Sequence, residues 1–262
     1  MKAISVINPK GGSGKSTLAT NLAGFLAQRS PAVLLGDIDQ QQSCRHWLQS
    51  RPKELTSIET WRIGADNVAR PPKGITHAIL DTPAGLSGKA LEKVVRVSSR
   101  IIVPVQASPF DLWATKLFLD HLAEIKAVTR GKAEVVLVGM RVNSRTLAAS
   151  QLSEFLARQG FQTLTLIRPT QLYSHVAATG ATIFDVPSPL AVREREDWQP
   201  LLDWLAALPQ SDHGSAALPA GQARRDPGRA ADGGRCSGAK CTAALVGRGL
   251  RGSSGVWRSK RH

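Results

Sequence analysis

The chain has 262 residues, 42% hydrophobic and 21% charged, an ordinary globular composition that excludes a mainly disordered or collagen-like protein. No apolar run approaches the roughly 18–20 residues of a membrane span, and the opening Met1-Lys2-Ala3-Ile4-Ser5 lacks the apolar stretch of a secretory signal. The net charge of +14 attracts polyanions such as DNA, RNA or an acidic membrane surface.

The spacing predicts a strand over Ala3–Asn8, a Gly-rich turn, and a helix from Ser16 to about Arg29 with Leu22, Phe25 and Leu26 on one face. A strand over Ala32–Asp37 precedes a helix over Gln41–Gln49, and Ile75–Asp81 is the next strand. Strands at Ile101–Gln106, Val135–Val142 and Thr163–Ile167 alternate with helical patterns at about 87–98, 110–128 and 147–159. A helix over Leu190–Leu208 closes the domain, with Trp198, Leu201, Leu202, Leu205 and Leu208 at helical spacing. The strands are apolar throughout, as in a parallel sheet buried on both faces. Strict alternation with helices predicts a doubly wound, mostly parallel α/β sheet, whose ligands bind beyond the C-terminal ends of its strands.

Domain organisation is predicted as 1–210 for this α/β unit and 211–262 for a basic tail. The tail holds ten Lys/Arg against three Asp, ten of the 23 glycines, and no Glu, Ile or Phe, too little to bury a core, so disorder is expected. Three readings of it stay open: a basic arm for nucleic acid, a partner-binding segment, and a functionless or out-of-frame extension. Cys236 and Cys241 form a lone C-x4-C, which argues against a zinc site. Cys44 is the one cysteine before them, in keeping with a reducing compartment.

The chemistry concentrates after the first strand, in Pro9-Lys10-Gly11-Gly12-Ser13-Gly14-Lys15-Ser16-Thr17. Glycines let successive N–H groups curl around an anion, and the helix that follows adds its positive N-terminus. Lys15 is placed to reach β- and γ-phosphate oxygens, and Ser16 offers a hard oxygen to Mg2+. Pro9 stands where the common phosphate loop has its first glycine, and Lys10 is an extra lysine.

Lys-Gly-Gly-x-Gly-Lys-Ser, read at residues 10–16, resembles the deviant Walker A motif of the ParA/MinD ATPases, which are P-loop NTPases. Leu34–Gln41 resembles that family's second strand and first switch, with Gly36 and Gln40 as departures, and Ile79–Gly85 resembles its Walker B strand and following turn. The resemblance spans about residues 1–208 and is to the short ParA form. It implies that Lys10, Lys15 and Asp39 are catalytic, with Lys10 reaching the nucleotide of the opposite subunit and Asp39 orienting the attacking water. Gly11, Gly12, Ser13, Gly14, Ser16 and Thr17 would complete the phosphate cradle. Ser16, Asp39 and Asp81 would serve the metal, and Asp37, Asp39, Asp81 and Gly85 the switches. Met140, Arg141, Arg168 and Pro169 would flank the adenine. The implied cofactors are ATP and Mg2+.

Several relatives of this loop are excluded by what the sequence lacks: cluster cysteines after the Walker B strand, tandem domains, and length for a substrate domain. What remains is an ATP-dependent homodimer that binds DNA nonspecifically and positions a cargo (plasmid, chromosome region or protein organelle such as a carboxysome). Hydrolysis, slow without a partner, would be stimulated by a small ParB-like or adaptor protein on the cargo. Lys126, Arg130, Lys132, Arg145 and Arg158 are candidate phosphate contacts, and Arg193–Glu196 reads as a salt-bridge-laced face. The expected location is cytoplasmic and nucleoid-associated, with no stable membrane association. A MinD-like positioning ATPase and a nucleotide-binding scaffold with weak activity are the alternatives.

Overall fold

The computed structural model describes residues 2–63 and 71–207; the 211–262 tail and Leu208, expected as the last apolar position of the closing helix, lie outside them. Seven strands form one sheet in the order β3-β2-β4-β1-β5-β6-β7. They are β1 (Lys2–Val6), β2 (Val33–Asp37), β3 (Glu59–Trp61), β4 (His77–Asp81), β5 (Arg100–Gln106), β6 (Glu134–Met140) and β7 (Gln162–Ile167). Every pairing is parallel, as the apolar strands require.

The two sides of each strand feed two cores. Leu35, Ile79, Ile102 and Val136 pack under α1 (Lys15–Ala27), α2 (Ser43–Ser50) and α8 (Val192–Ala206). Their neighbours Leu34, Leu80, Ile101 and Leu137 pack under α3 (Gly88–Val97), α4 (Pro109–Glu124) and α6 (Leu147–Ala157). In α8 the buried face is Trp198, Leu201, Leu202, Trp204 and Leu205, so its apolar stripe is core. No described helix is long and apolar enough to cross a membrane.

The chain departs from the predicted elements in several places. The helix expected over 110–128 is two, because Ile125 has an extended ψ of 126°, and the short α5 (Lys126–Thr129) starts afresh. β3 and α7 (Leu172–Ala178) were not expected, since each is too short to show a period. The helix after β2 starts at Ser43 rather than Gln41, because the Asp37 carboxylate captures the amides of Cys44 and Arg45. The Arg193–Glu196 run is not a simple ion-pair ladder: Arg195 donates to the carbonyls of Ile183, Phe184 and Val186.

β1 lies between β4 and β5, where chain connections leave in opposite directions. Loops at the C-terminal ends of these strands therefore splay apart, which is where a doubly wound sheet opens a crevice.

Candidate phosphate and cation site

Residues 7–14 leave the end of β1 and enter α1 directly. Gly12 and Gly14 have φ of 74° and 98°, values an L side chain rarely adopts. At Gly14 a Cβ would also sit 2.8 Å from Met140 Cε. With Gly14 as the residue before α1, no side chain caps the helix and no acid lies in its first turn. Its first N–H groups and positive dipole end are left to an anion.

The loop is braced from both neighbouring strands. Asn8 accepts from the Lys10 amide at 2.8 Å and donates to Pro104 O at 2.7 Å. Gln106, at the end of β5, donates to Gly12 O at 2.7 Å. On the β4 side, the Gly85 N–H donates to Pro9 O at 2.8 Å. The amide of Gly85, placed among the switches by resemblance, is thus bonded to Pro9 of the loop.

Lys15 is buried, and its ammonium donates to Lys10 O at 2.8 Å. Burial holds its pKa below the usual lysine value, opposed by the nearby charges of Asp81 and Asp39. Lys10 extends the other way: its Nζ lies 3.9 Å from Asp111 Oδ1, with the side chain 40% exposed. Gly11 and Gly12 are exposed, and Ser13 donates back to Lys10 O.

Ser16 donates its hydroxyl to Asp81 Oδ2 at 2.6 Å. Asp81 is 1% exposed, and its other oxygen accepts from the Thr82 amide at 3.0 Å. Burial pushes its pKa up to about 6, against the pull of hydrogen bonds from Ser16 and Cys44. A carboxylate withheld from water beside a hydroxyl is a donor set of hard oxygens short of positive charge, and it fits a magnesium ion. The hydroxyl keeps two lone pairs free for a cation while it donates its hydrogen to Asp81.

The structure divides the remaining acids differently from the resemblance. Asp39, assigned to the metal, accepts from the Gln41 amide at 3.0 Å. Among the described residues, it is Asp37 that joins Asp81 and Cys44 with ligand atoms within 4.8 Å of one another. Asp37 is also the cap of α2, and burial raises its pKa. The local sequence places both aspartates at the end of β2, but only the turn geometry says which one faces β4.

Gly14, Thr17, Met140, Arg141, Arg168 and Pro169, with part of α7, line a pocket of about 680 Å³ beside the loop. The four residues expected around the adenine are therefore brought together. Their charges are not equivalent: the Arg168 guanidinium is held by both oxygens of Asp197, at 2.7 Å each, whereas Arg141 is exposed at a φ of 56°. Asn8, Thr82, Gln106 and Cys44 were missed as site residues. Asn8 was findable as the polar end of an apolar strand, whereas Cys44 carried no local signal.

Comparison with known proteins agrees with this geometry. The CobQ/CobB/MinD/ParA nucleotide binding domain matches residues 4–183. Maintenance of carboxysome distribution protein A of Halothiobacillus neapolitanus is 27% identical over 191 residues, covering 70% of this chain and 87% of that protein. The chromosome-partitioning ATPase Soj of Thermus thermophilus is 29% identical over 186 residues, covering 58% and 74%. Among solved structures, the ATP complex of a Cyanothece McdA variant superposes with a TM-score of 0.63 at 13% identity, over 77% of this chain and 96% of that one. With the loop, the buried carboxylate and the side pocket at the mouth of one parallel sheet, the match over residues 4–183 places this chain in the CobQ/CobB/MinD/ParA nucleotide-binding family.

Proposed function

We propose that this chain is a magnesium-dependent ATPase of the ParA type that dimerises on ATP, binds DNA without sequence preference and positions a cargo. The observation that carries the reading is the uncapped N-terminus of α1 between Lys10 and Lys15, with the Ser16–Asp81 pair at its base. In this reading Lys15 releases Lys10 O and turns to the β- and γ-phosphates, and Ser16 and Asp81 hold the cation. Magnesium, when bound, neutralises phosphate charge. The pocket at Met140, Arg141 and Pro169 takes the adenine by shape and stacking. Asp39 lies close enough for its charge to act on Lys15, after that of Asp81, and in this reading it orients the water that attacks the γ-phosphate. Without a partner, turnover is slow.

Lys10 is proposed as the residue that crosses to the second subunit. Its side chain is partly exposed and bound only at 3.9 Å by Asp111, a weak surface pair that costs little to break. Names of relatives that distribute carboxysomes or partition chromosomes support a positioning role, with a ParB-like or adaptor protein on the cargo stimulating hydrolysis. The cytoplasmic, nucleoid-associated location follows from DNA binding. A MinD-like membrane role is disfavoured within the described residues, because the apolar face of α8 is used up in the core.

Sedimentation with a slowly hydrolysed ATP analogue tests the dimer. Wild type is expected to dimerise and Lys10→Ala to stay monomeric while still binding nucleotide; a full dimer population of Lys10→Ala overturns the assignment. Asp39→Ala is expected to keep ATP and accumulate as dimer, and wild-type turnover in that variant would make Asp39 structural.

A further inference from the structure

Cys44, in the first turn of α2, is completely buried. Its sulfur lies 3.2 Å from Asp81 Oδ2, the same oxygen that accepts the Ser16 hydroxyl. Asp37 completes the group, with one ligand atom from each of the three residues within 4.8 Å of the others. In a tetrahedral site with Zn–S of about 2.3 Å and Zn–O of about 2.1 Å, sulfur and oxygen stand roughly 3.6 Å apart. The observed 3.2 Å spacing is close to that edge. Magnesium chemistry has no use for sulfur: a hard ion takes the oxygens and leaves a thiol alone. The cluster joins two carboxylates and a thiol to one nearby ammonium, Lys15, so it is short of positive charge. Ser16 and Asp37 are only half-buried, which leaves a route to the cluster from the phosphate-loop side.

We propose that the cation site is also a site for thiophilic divalent cations of the zinc and cadmium class, held by Cys44 Sγ, Asp81 Oδ2 and Asp37 in competition with magnesium. The inference rests on reading Ser16 and Asp81 as the magnesium pair. On binding, the S–H bond breaks, the proton leaves to solvent and a sulfur–metal bond forms, with no change of oxidation state. The ion replaces the thiol as the partner of Asp81 and draws that carboxylate away from Ser16. A soft ion therefore acts as a reversible inhibitor of the magnesium-dependent reaction.

The test uses the full chain carrying Cys236→Ser and Cys241→Ser, so that Cys44 is its one thiol, with cadmium ion as the probe. Ultraviolet sulfur-to-cadmium charge-transfer absorption reports the thiolate bond directly. The band is expected to saturate near one ion per chain and to vanish in Cys44→Ala and Cys44→Ser. Asp81→Asn is expected to shift it at least tenfold to higher cadmium, and excess magnesium to weaken it competitively. Circular dichroism melting of each variant verifies that it is folded. Absence of the band, or a band that neither Asp81→Asn nor magnesium moves, overturns the proposal. Calorimetry with Mg-ATP on the same protein separates the two readings. Intact nucleotide binding without a cadmium band sinks only the soft-ion site, whereas a cadmium band without nucleotide binding sinks the ATPase reading.

Discussion

Asp81 is the residue on which the site's energetics turn. Its ordinary pKa of 3.8 is raised to about 6 by burial, so the folded chain holds this proton more tightly than the unfolded one. The stability it contributes is fully present below about pH 4 and is lost as the pH rises through 6. The loss is on the order of 3 kcal/mol. Asp81→Asn, which keeps the shape and removes the charge, is therefore expected to raise the melting temperature by several degrees at pH 7.5 and by about half as much at pH 5, midway between the unfolded and folded pKa values. Calorimetric melts at the two values decide it, and equal shifts at both would contradict the assignment. The same residue shows what sequence can and cannot tell. Lys15, Ser16 and the glycines were legible because a phosphate loop is local, its chemistry fixed by spacing along one turn. The contact between Cys44 and Asp81 joins residues 37 apart and depends on how α2 docks, which no local pattern records.

At the scale of elements, one of the two departures from the family's switch, Gly36, has a structural explanation. Gly36 in β2 faces Trp61 of β3: a Cβ there would lie 3.0 Å from Trp61 Cε3, 3.1 Å from Ile63 Cδ1 and 3.2 Å from Leu80 Cδ1. The missing side chain is thus replaced by an indole from the neighbouring strand, and β3, invisible as a pattern, is what makes Gly36 intelligible. Gly36→Ala is expected to cost about 1–3 kcal/mol by overpacking, and urea melts with an unchanged m-value would verify it. A Gly36→Ala protein as stable as wild type would mean that β3 packs elsewhere. Gln42, the residue between the switch and α2, has a φ of 51°, a left-handed conformation that strains an L side chain. Gln42→Gly is expected to stabilise the fold by about 1 kcal/mol, a gain that the same melts would detect. No structural reason for Gln40 emerges beyond its exposed place in the turn. The doubly wound order was legible because strand and helix alternate with long, clear periods. The break at Ile125 and the short α7 were not, because a single extended residue or a helix of seven residues leaves no periodic trace.

At the scale of the whole molecule, charge and site act together. Residues 1–210 and 211–262 each carry a formal +7, and dimerisation would double the charge on one particle. Lys126, Arg130, Lys132 and Arg145 are exposed, while Arg158 is paired with Glu154 and is the weakest of the five candidates for DNA. The chain cut after Gln210 is expected to bind unrelated duplexes with similar affinity when ATP is present. With six to ten phosphate contacts, that affinity should drop about 10³- to 10⁵-fold between roughly 50 and 200 mM salt. Loss of DNA binding on truncation, with dimerisation intact, would instead make the tail the DNA arm. All of this depends on the phosphate loop binding Mg-ATP. Calorimetric titration of the full chain and of Lys15→Ala with ATP, with and without magnesium, tests that most directly. Saturable, magnesium-dependent binding is expected, weakened about 10- to 100-fold in Lys15→Ala through the loss of a charge-assisted contact; equal affinity in the two proteins would contradict it.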